Sequence, residues 1–169
     1  MGGKEKIKHI IVKFNKNITP IKLTINDIPQ IIEIYKSFWG NRGLYKYSLF
    51  KLIIEQNLSY GYKVGDDIIG FCLMENKPKE NNIEIALLCI KREFQGFHLG
   101  NNLLSFCLNL CKNLKFHNFS LHVSVTNNIA LRLYTKLGFK TQKLIRKYYN
   151  DEYIENIEDN DAYYMILNY

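Results

Sequence analysis

The sequence predicts a mixed α/β domain whose central, mostly antiparallel sheet is flanked by helices. Three observations predict it. Short runs rich in Ile, Val, Tyr and Phe alternate with polar residues, as at Ile21-Lys22-Leu23-Thr24, which is the period of a strand. Longer segments, such as 26–39 and 99–113, carry apolar residues three and four apart, the period of a helix. The two kinds are interleaved along the chain, as a single mixed α/β unit requires.

Taken in order, residues 1–19 read as a basic N-terminal extension and residues 20–169 as one domain. Ile21-Lys22-Leu23-Thr24 is the first strand. Asn26 or Asp27 caps a helix that runs to about Trp39, with Ile28, Ile31, Ile32 and Tyr35 on one face. Gly40-Asn41-Arg42-Gly43 breaks it, and a second helix covers 48–56. Strands at 59–64 and 68–74 flank Gly65-Asp66-Asp67, a hairpin signal. A polar loop over 77–82 leads into a central strand over 83–90. A helix over 99–113, a strand over 119–125, a helix over 127–137 and a strand over 139–148 follow. An acidic loop through Asp161 and a last strand over 162–167 complete the chain.

The 169 residues suffice for one domain that buries roughly 70% of its unfolded surface. With 47% hydrophobic and 23% charged residues, the chain falls among ordinary soluble globular proteins. The net charge of +7 favours phosphate-rich or otherwise anionic partners. That charge is spread along the chain, without an arginine-rich run, zinc-finger spacing or aromatic RNA-binding signature, so no specific nucleic-acid motif is present. No apolar run reaches the roughly 20 residues of a membrane span. Met1-Gly2-Gly3-Lys4-Glu5-Lys6 fails as a myristoylation signal, because Lys6 stands where Ser or Thr belongs. Cys72, Cys89, Cys107 and Cys111 lie inside apolar stretches and read as buried free thiols in a reducing compartment, with the cytoplasm as the expected location. Cys107 and Cys111 share a helix face, but no His or Cys pair at matching spacing accompanies them, so they read as core and no metal is expected.

Two segments carry chemistry. In the first, the apolar strand Leu87-Leu88-Cys89-Ile90 runs into Gln95-Gly96-Phe97-His98-Leu99-Gly100-Asn101, where a helix begins. Glycines that allow close backbone approach, followed by a helix N-terminus, form an anion-binding corner. The second is Asn127-Asn128-Ile129-Ala130-Leu131-Arg132-Leu133-Tyr134-Thr135-Lys136-Leu137-Gly138-Phe139. Thr126 or Asn127 caps this helix, Gly138 stops it, and Ala130, Leu133, Tyr134 and Leu137 share its inner face.

Together these segments resemble the GNAT superfamily of acyl-CoA-dependent N-acetyltransferases. The first is similar to its Gln/Arg-x-x-Gly-x-Gly/Ala pyrophosphate loop, with His98 in place of the first motif glycine. The second is similar to its Asn-x-x-Ala-x-x-x-Tyr-x-x-x-Gly-Phe segment. The resemblance implies the GNAT fold and acetyl-CoA as cofactor. It places that cofactor against Leu88, Cys89, Ile90, Gln95, Gly96, Phe97, His98, Leu99, Gly100, Asn101, Asn127, Ala130 and Tyr134. Leu121-His122-Val123, the 127–139 segment and Lys147-Tyr148-Tyr149 look most like the protein N-terminal acetyltransferases of the Naa50-like group, which act on Met-initiated termini. That resemblance makes His122 catalytic and has Tyr148 and Tyr149 grip the substrate backbone. A catalytic tyrosine of the group falls on Glu84, a position where related acetyltransferases carry a carboxylate.

Alternation along the central strand places Glu84, Ala86 and Leu88 on one face. An α-ammonium group ionises near 7.7–8.0, so modest help frees the amine: Glu84 or His122 takes the proton, by way of a water. Backbone N–H groups near Leu88 and Ile90 polarise the thioester carbonyl, and Tyr134 serves the departing thiolate. Phe38, Trp39 and Tyr45 are expected to form the pocket for the first substrate side chain, with Ala86 beside them. The expected acceptor is thus a protein N-terminal α-amine with Met or another apolar first residue. The enzyme is expected as a monomer or within a hetero-complex that includes an auxiliary subunit and the ribosome. An acetyltransferase for lysine or a small amine is the alternative, and a CoA-binding subunit without turnover is the third reading.

Overall fold

The computed structural model describes residues 18–40, 47–149 and 160–169. Most of the expected extension (residues 1–17), Tyr45 and the acidic segment 150–159 lie outside the described residues. The elements run β1 (Ile21–Lys22), α1 (Ile28–Trp39), α2 (Tyr47–Glu55), β2 (Tyr60–Val64), β3 (Asp67–Lys77), β4 (Asn82–Ile90), α3 (Leu99–Asn113), β5 (Asn118–Ser124), α4 (Asn128–Lys136), β6 (Lys140–Ile145) and β7 (Ala162–Asn168). The described strands form one seven-stranded sheet in the order β1-β2-β3-β4-β5-β7-β6. Only β4 and β5 pair in parallel, so the mixed, mostly antiparallel sheet is as the sequence predicts.

The sheet is covered on both faces. On one, Leu99, Leu103, Leu104, Cys107, Leu108 and Cys111 of α3 pack with Phe119, Leu121 and Val123 of β5. On the other, Ile28, Ile31, Ile34 and Tyr35 of α1 and Phe50, Ile53 and Ile54 of α2 pack with Phe71, Leu73 and Cys89. Each large apolar side chain buried this fully contributes roughly 1.5–3 kcal/mol. All four cysteines are buried free thiols. Among the described residues no helix is long and apolar enough to cross a membrane.

Several boundaries differ from the sequence expectation. On α1 the buried stripe uses Ile34, and Ile32 is half-buried. Asp27 is the N-cap of α1 by position, but its side chain makes no capping hydrogen bond to that helix. Its carboxylate accepts hydrogen bonds from the Thr24 backbone N–H at 2.8 Å and the Thr24 hydroxyl at 3.0 Å, and it pairs with Lys63 at 2.7 Å. Strand β3 continues to Lys77, absorbing the start of the expected polar loop, which shrinks to the turn Pro78–Glu80. The expected 139–148 strand stops at Ile145, because Asp161 takes the Lys147 N–H at 2.9 Å and the Arg146 guanidinium at 3.2 Å.

The decisive local feature is in β4. Against β3 the register jumps between Leu73↔Leu87 and Met74↔Ile85, which leaves Ala86 as a bulge. A bulge inverts side-chain parity and bends its strand. Ile83 and Ile85 therefore face the α3 side, Ala86 and Leu87 both face the α1/α2 side, and Leu88 returns to the α3 side. This corrects the expected alternation: Glu84 and Ala86 precede the parity change, and Leu88 lies on the opposite face. The β4/β5 ladder ends at Ile85↔Leu121, although β4 runs on to Ile90 and β5 to Ser124. Beyond the bulge the two strands are no longer paired, and a gap opens in mid-sheet.

Candidate active site

That gap is one wall of a cleft of about 640 Å³. Leu88, Cys89 and Ile90 of β4 line it, with Gln95, Gly96, His98, Leu99, Gly100 and Asn101 of the following turn, Asn127, Ala130 and Tyr134 of the α4 segment, and Phe38 and Trp39 at the end of α1. The ladder shows which way β4 aims its amides. Lys91 N–H donates to Ile69 C=O at 2.8 Å across the Gly70↔Ile90 pair, so Ile90 is a non-bonded position toward β3, and by alternation so is Leu88. The N–H groups of Leu88 and Ile90 consequently point into the gap. Gln95 secures the turn by donating from its side chain to Ile90 C=O at 2.9 Å.

The turn itself is left-handed at two places: Gly96 has φ +84° and His98 has φ +61°. His98 occupies a conformation that suits glycine and that bulky β-branched residues avoid, and it is the N-cap of α3. The first intrahelical bond runs from Asn102 N–H to His98 C=O, so the amides of Leu99, Gly100 and Asn101 lie ahead of the ladder, at the positive end of α3. On α4, the Asn127 side chain accepts from Ala130 N–H at 3.1 Å. The helix closes when Gly138 N–H donates to Thr135 C=O and Phe139 N–H to Tyr134 C=O, with Gly138 at φ +95°, the paired C-terminal bonds of a Schellman motif. These caps aim Tyr134 inward. Burial pushes its phenol well above the usual range, and the nearby Cys72, Tyr149 and Cys89 add to the shift.

A second cluster lies along the sheet face of Glu84. His122 Nδ1 stands 3.0 Å from Glu84 Oε1, and since a carboxylate only accepts, the imidazole donates through Nδ1–H. Lys77 reaches Glu84 Oε2 at 3.6 Å and Glu75 at 2.8 Å. The hydrogen bond from His122 holds the Glu84 carboxyl below its usual value against the opposing effect of burial, and the His122 and Lys77 charges add to it. Tyr148 stacks on the imidazole, with ring centroids 4.3 Å apart and planes 11° apart, and Tyr149 meets Tyr148 edge-on at 4.9 Å. Tyr164 covers another side of the imidazole at 5.1 Å.

The structure thus gathers most of the expected cofactor residues in the cleft, and Glu84, His122, Tyr148 and Tyr149 in the adjoining cluster. Tyr149 is also close enough to Tyr134 to add to the rise of its phenol. Phe97 is placed differently: it packs, half-buried, against the α3-side core and is not in the cleft wall. Ala86 packs against the α1/α2-side core as the bulge residue. Sequence reasoning missed Lys77, Tyr164, Arg132 and Lys136. Arg132 and Lys136 line the cleft beside Ala130 and Leu133, and their i, i+4 spacing next to the motif residues was the available signal. Arg92 was also missed: its guanidinium stands 5.3 Å from the Phe38 ring and ties the turn to the end of α1.

The acetyltransferase (GNAT) family model matches residues 28–139. The chain belongs to that family. An uncharacterised N-acetyltransferase of Methanocaldococcus jannaschii is 31% identical over 96 residues, covering 56% of this chain and 60% of that protein. The chain therefore spans less than two thirds of that relative's length. An N-alpha-acetyltransferase of Sulfolobus acidocaldarius is 28% identical over 158 residues, 84% of this chain and 87% of that protein. Among solved structures, Arabidopsis thaliana Naa50 in complex with the bisubstrate analogue CoA-Ac-MVNAL superposes with a TM-score of 0.76 at 22% identity, covering 90% of this chain and 99% of that one. At that identity the likeness speaks for the fold. The family match covers both motif segments, from Ile28 through the Schellman stop to Phe139.

Proposed function

We propose that this GNAT protein transfers an acetyl group from acetyl-CoA to the α-amine of a protein N-terminus that begins with Met or another apolar residue. The observation that carries the reading is the Glu84–His122 hydrogen bond beneath the stacked Tyr148 ring, beside a cleft whose wall carries free-pointing amides and a helix N-terminus.

The cleft offers the donors that the cofactor requires. The positive end of α3 and the Gly96–His98 turn suit a diphosphate, and Arg132 and Lys136 add positive charge at the rim. Bound acetyl-CoA supplies the acetyl group as an activated thioester. Leu88 and Ile90 N–H groups donate to a carbonyl oxygen placed in the gap. Because Nδ1–H is committed to Glu84, the imidazole lone pair is on Nε2, and His122 accepts the ammonium proton there. Glu84, stabilised as an anion, holds the ring and its tautomer. Burial keeps Tyr134 protonated, so its hydroxyl would hydrogen-bond the departing sulfur as the carbon–sulfur bond breaks; any proton it passes to the thiolate would be replaced by the second proton the nitrogen loses as the amide forms.

An acceptor ammonium near 7.7–8.0 matches an imidazole base, whereas a lysine ammonium near 10.4 asks for a much stronger one. Tyr148 and Tyr149 are the proposed grip on the peptide backbone, and Phe38 and Trp39 the apolar wall for its first side chain. Thiol release from acetyl-CoA, followed with Met-start peptides, N-terminally blocked lysine peptides and polyamines, tests the reading. Turnover with the free-N-terminus peptides supports it. Turnover confined to the lysine peptides or polyamines, or no turnover with any acceptor, contradicts it.

A further inference from the structure

Glu75 and Glu84 stand directly opposite each other on β3 and β4, a pairing that like charges disfavour. Lys77, two residues along from Glu75, places its ammonium 2.8 Å from Glu75 and 3.6 Å from Glu84. Glu84 offers one oxygen to Lys77 and the other to His122. Glu75, Lys77 and Glu84 form a chain of alternating charge that ends on the Nδ1–H of His122.

From this geometry we infer that Lys77 is a positioning residue of the active site: it keeps Glu84 ionised and turned toward His122, and so sets the pH below which the base fails. The inference goes beyond the proposed function to its regulation by pH, and rests on that reading for its kinetic arm only. The groups facing Glu84 come from every neighbouring strand: Glu75 and Lys77 from β3, and His122 from β5. Tyr148, past the end of β6, and Tyr164 of β7 face it through the imidazole, and Lys143 of β6 stands 5.3 Å from the Tyr164 ring centre. Of the lysines among these described residues, Lys77 is the one within ion-pair distance of Glu84.

The sign follows from Coulomb's law. Removing the Lys77 charge leaves Glu75 and Glu84 uncompensated, so each proton near them is bound more tightly. The lowered carboxyl of Glu84 moves back up, and the acid limb that depends on its charge moves to higher pH. Removing Glu75 instead gives Lys77 wholly to Glu84, and the shift has the opposite sign.

The experiment is carbon-detected NMR titration of the Glu84 carboxyl in the wild type, Lys77→Gln, Lys77→Arg and Glu75→Gln, with the acid limb of kcat/KM measured on the same proteins and thermal unfolding as a check on folding. Lys77→Gln is expected to raise the Glu84 midpoint and the acid limb by about one unit. Lys77→Arg restores both, and Glu75→Gln lowers both. Unchanged midpoints in Lys77→Gln and Glu75→Gln, or a Lys77→Arg protein that behaves like Lys77→Gln, would overturn the inference. If Lys77→Gln does not fold, the sign of the Glu75→Gln shift decides. The carboxyl titration needs no substrate, so a wild type that shows the expected shifts but no turnover removes the acetyltransferase reading and leaves the role of Lys77 standing.

Discussion

His122 Nδ1 and Glu84 Oε1 are 3.0 Å apart, brought together from β5 and β4. The two strands pair only through Ile85↔Leu121, so the contact sits at the last point where the sheet is closed. One residue further, the Ala86 bulge ends the ladder and the cleft begins. The proposed base is therefore anchored to paired backbone, and the cleft lies immediately beyond it.

His122→Ala is expected to lower kcat/KM by roughly 10²–10⁴-fold, the usual cost of a lost general base. Glu84→Gln keeps the ring in place but removes the anion that fixes its tautomer, and the loss is on the order of tenfold, about 1.4 kcal/mol in the barrier. Steady-state kinetics above and below neutral pH check both. A larger loss for Glu84→Gln than for His122→Ala would make Glu84, rather than His122, the group that takes the proton.

Tyr134→Phe removes the proton offered to the departing sulfur while keeping the ring that packs edge-on against Phe139. We expect kcat to fall about tenfold with little change in KM and thermal stability. Because burial raises the Tyr134 phenol, ultraviolet titration should show this tyrosine ionising after the exposed ones. A kcat unaffected by the substitution would reduce Tyr134 to core packing.

His98 at φ +61° sits where glycine is at ease. His98→Gly should keep or improve CoA affinity, whereas the β-branched His98→Val should cost about 1–2 kcal/mol of stability and weaken CoA binding. Thermal shift with and without CoA measures both effects. Equal CoA affinity in the two variants would show that the turn's conformation does not matter for the cofactor.

Asp27 is held below its usual value: burial opposes ionisation, but the Lys63 ammonium and the Thr24 hydrogen bonds prevail. A carboxyl depressed in the folded state stabilises fully above its unfolded value, near 3.8, and loses that contribution as pH falls through the folded value. Asp27→Asn should cost about 2 kcal/mol at neutral pH, since it leaves Lys63 unpaired. The cost should shrink in acid, which denaturant unfolding at several pH values will show. A cost that does not change with pH would mean that the carboxylate's charge is not what stabilises the turn.

What was legible in the sequence was local. The α4 segment could be read because its cap, its inner face and its stop lie within thirteen consecutive residues, and Asn127, Tyr134 and Gly138 do in the structure what their spacing predicts. That His98 stands in place of the first motif glycine was also visible, and the structure gives it φ +61°. Parity along β4 was not, because a bulge at Ala86 is a property of the pairing with β3 rather than of the strand's own pattern. Lys77 was assigned to a loop for its polar neighbours, yet cross-strand pairing extends β3 to include it and delivers it to Glu84. Tyr164 and His122 meet through the β5↔β7 register, which no local pattern encodes.

The central claim is that the acceptor is an α-amine. The most direct measurement uses one peptide with a free N-terminal Met and an internal lysine, incubated with acetyl-CoA and the wild-type protein, with the acetylated nitrogen located by tandem mass spectrometry. Acetyl is expected on the N-terminal nitrogen, and none there with His122→Ala. Acetyl on the lysine side chain with the N-terminus untouched would contradict it.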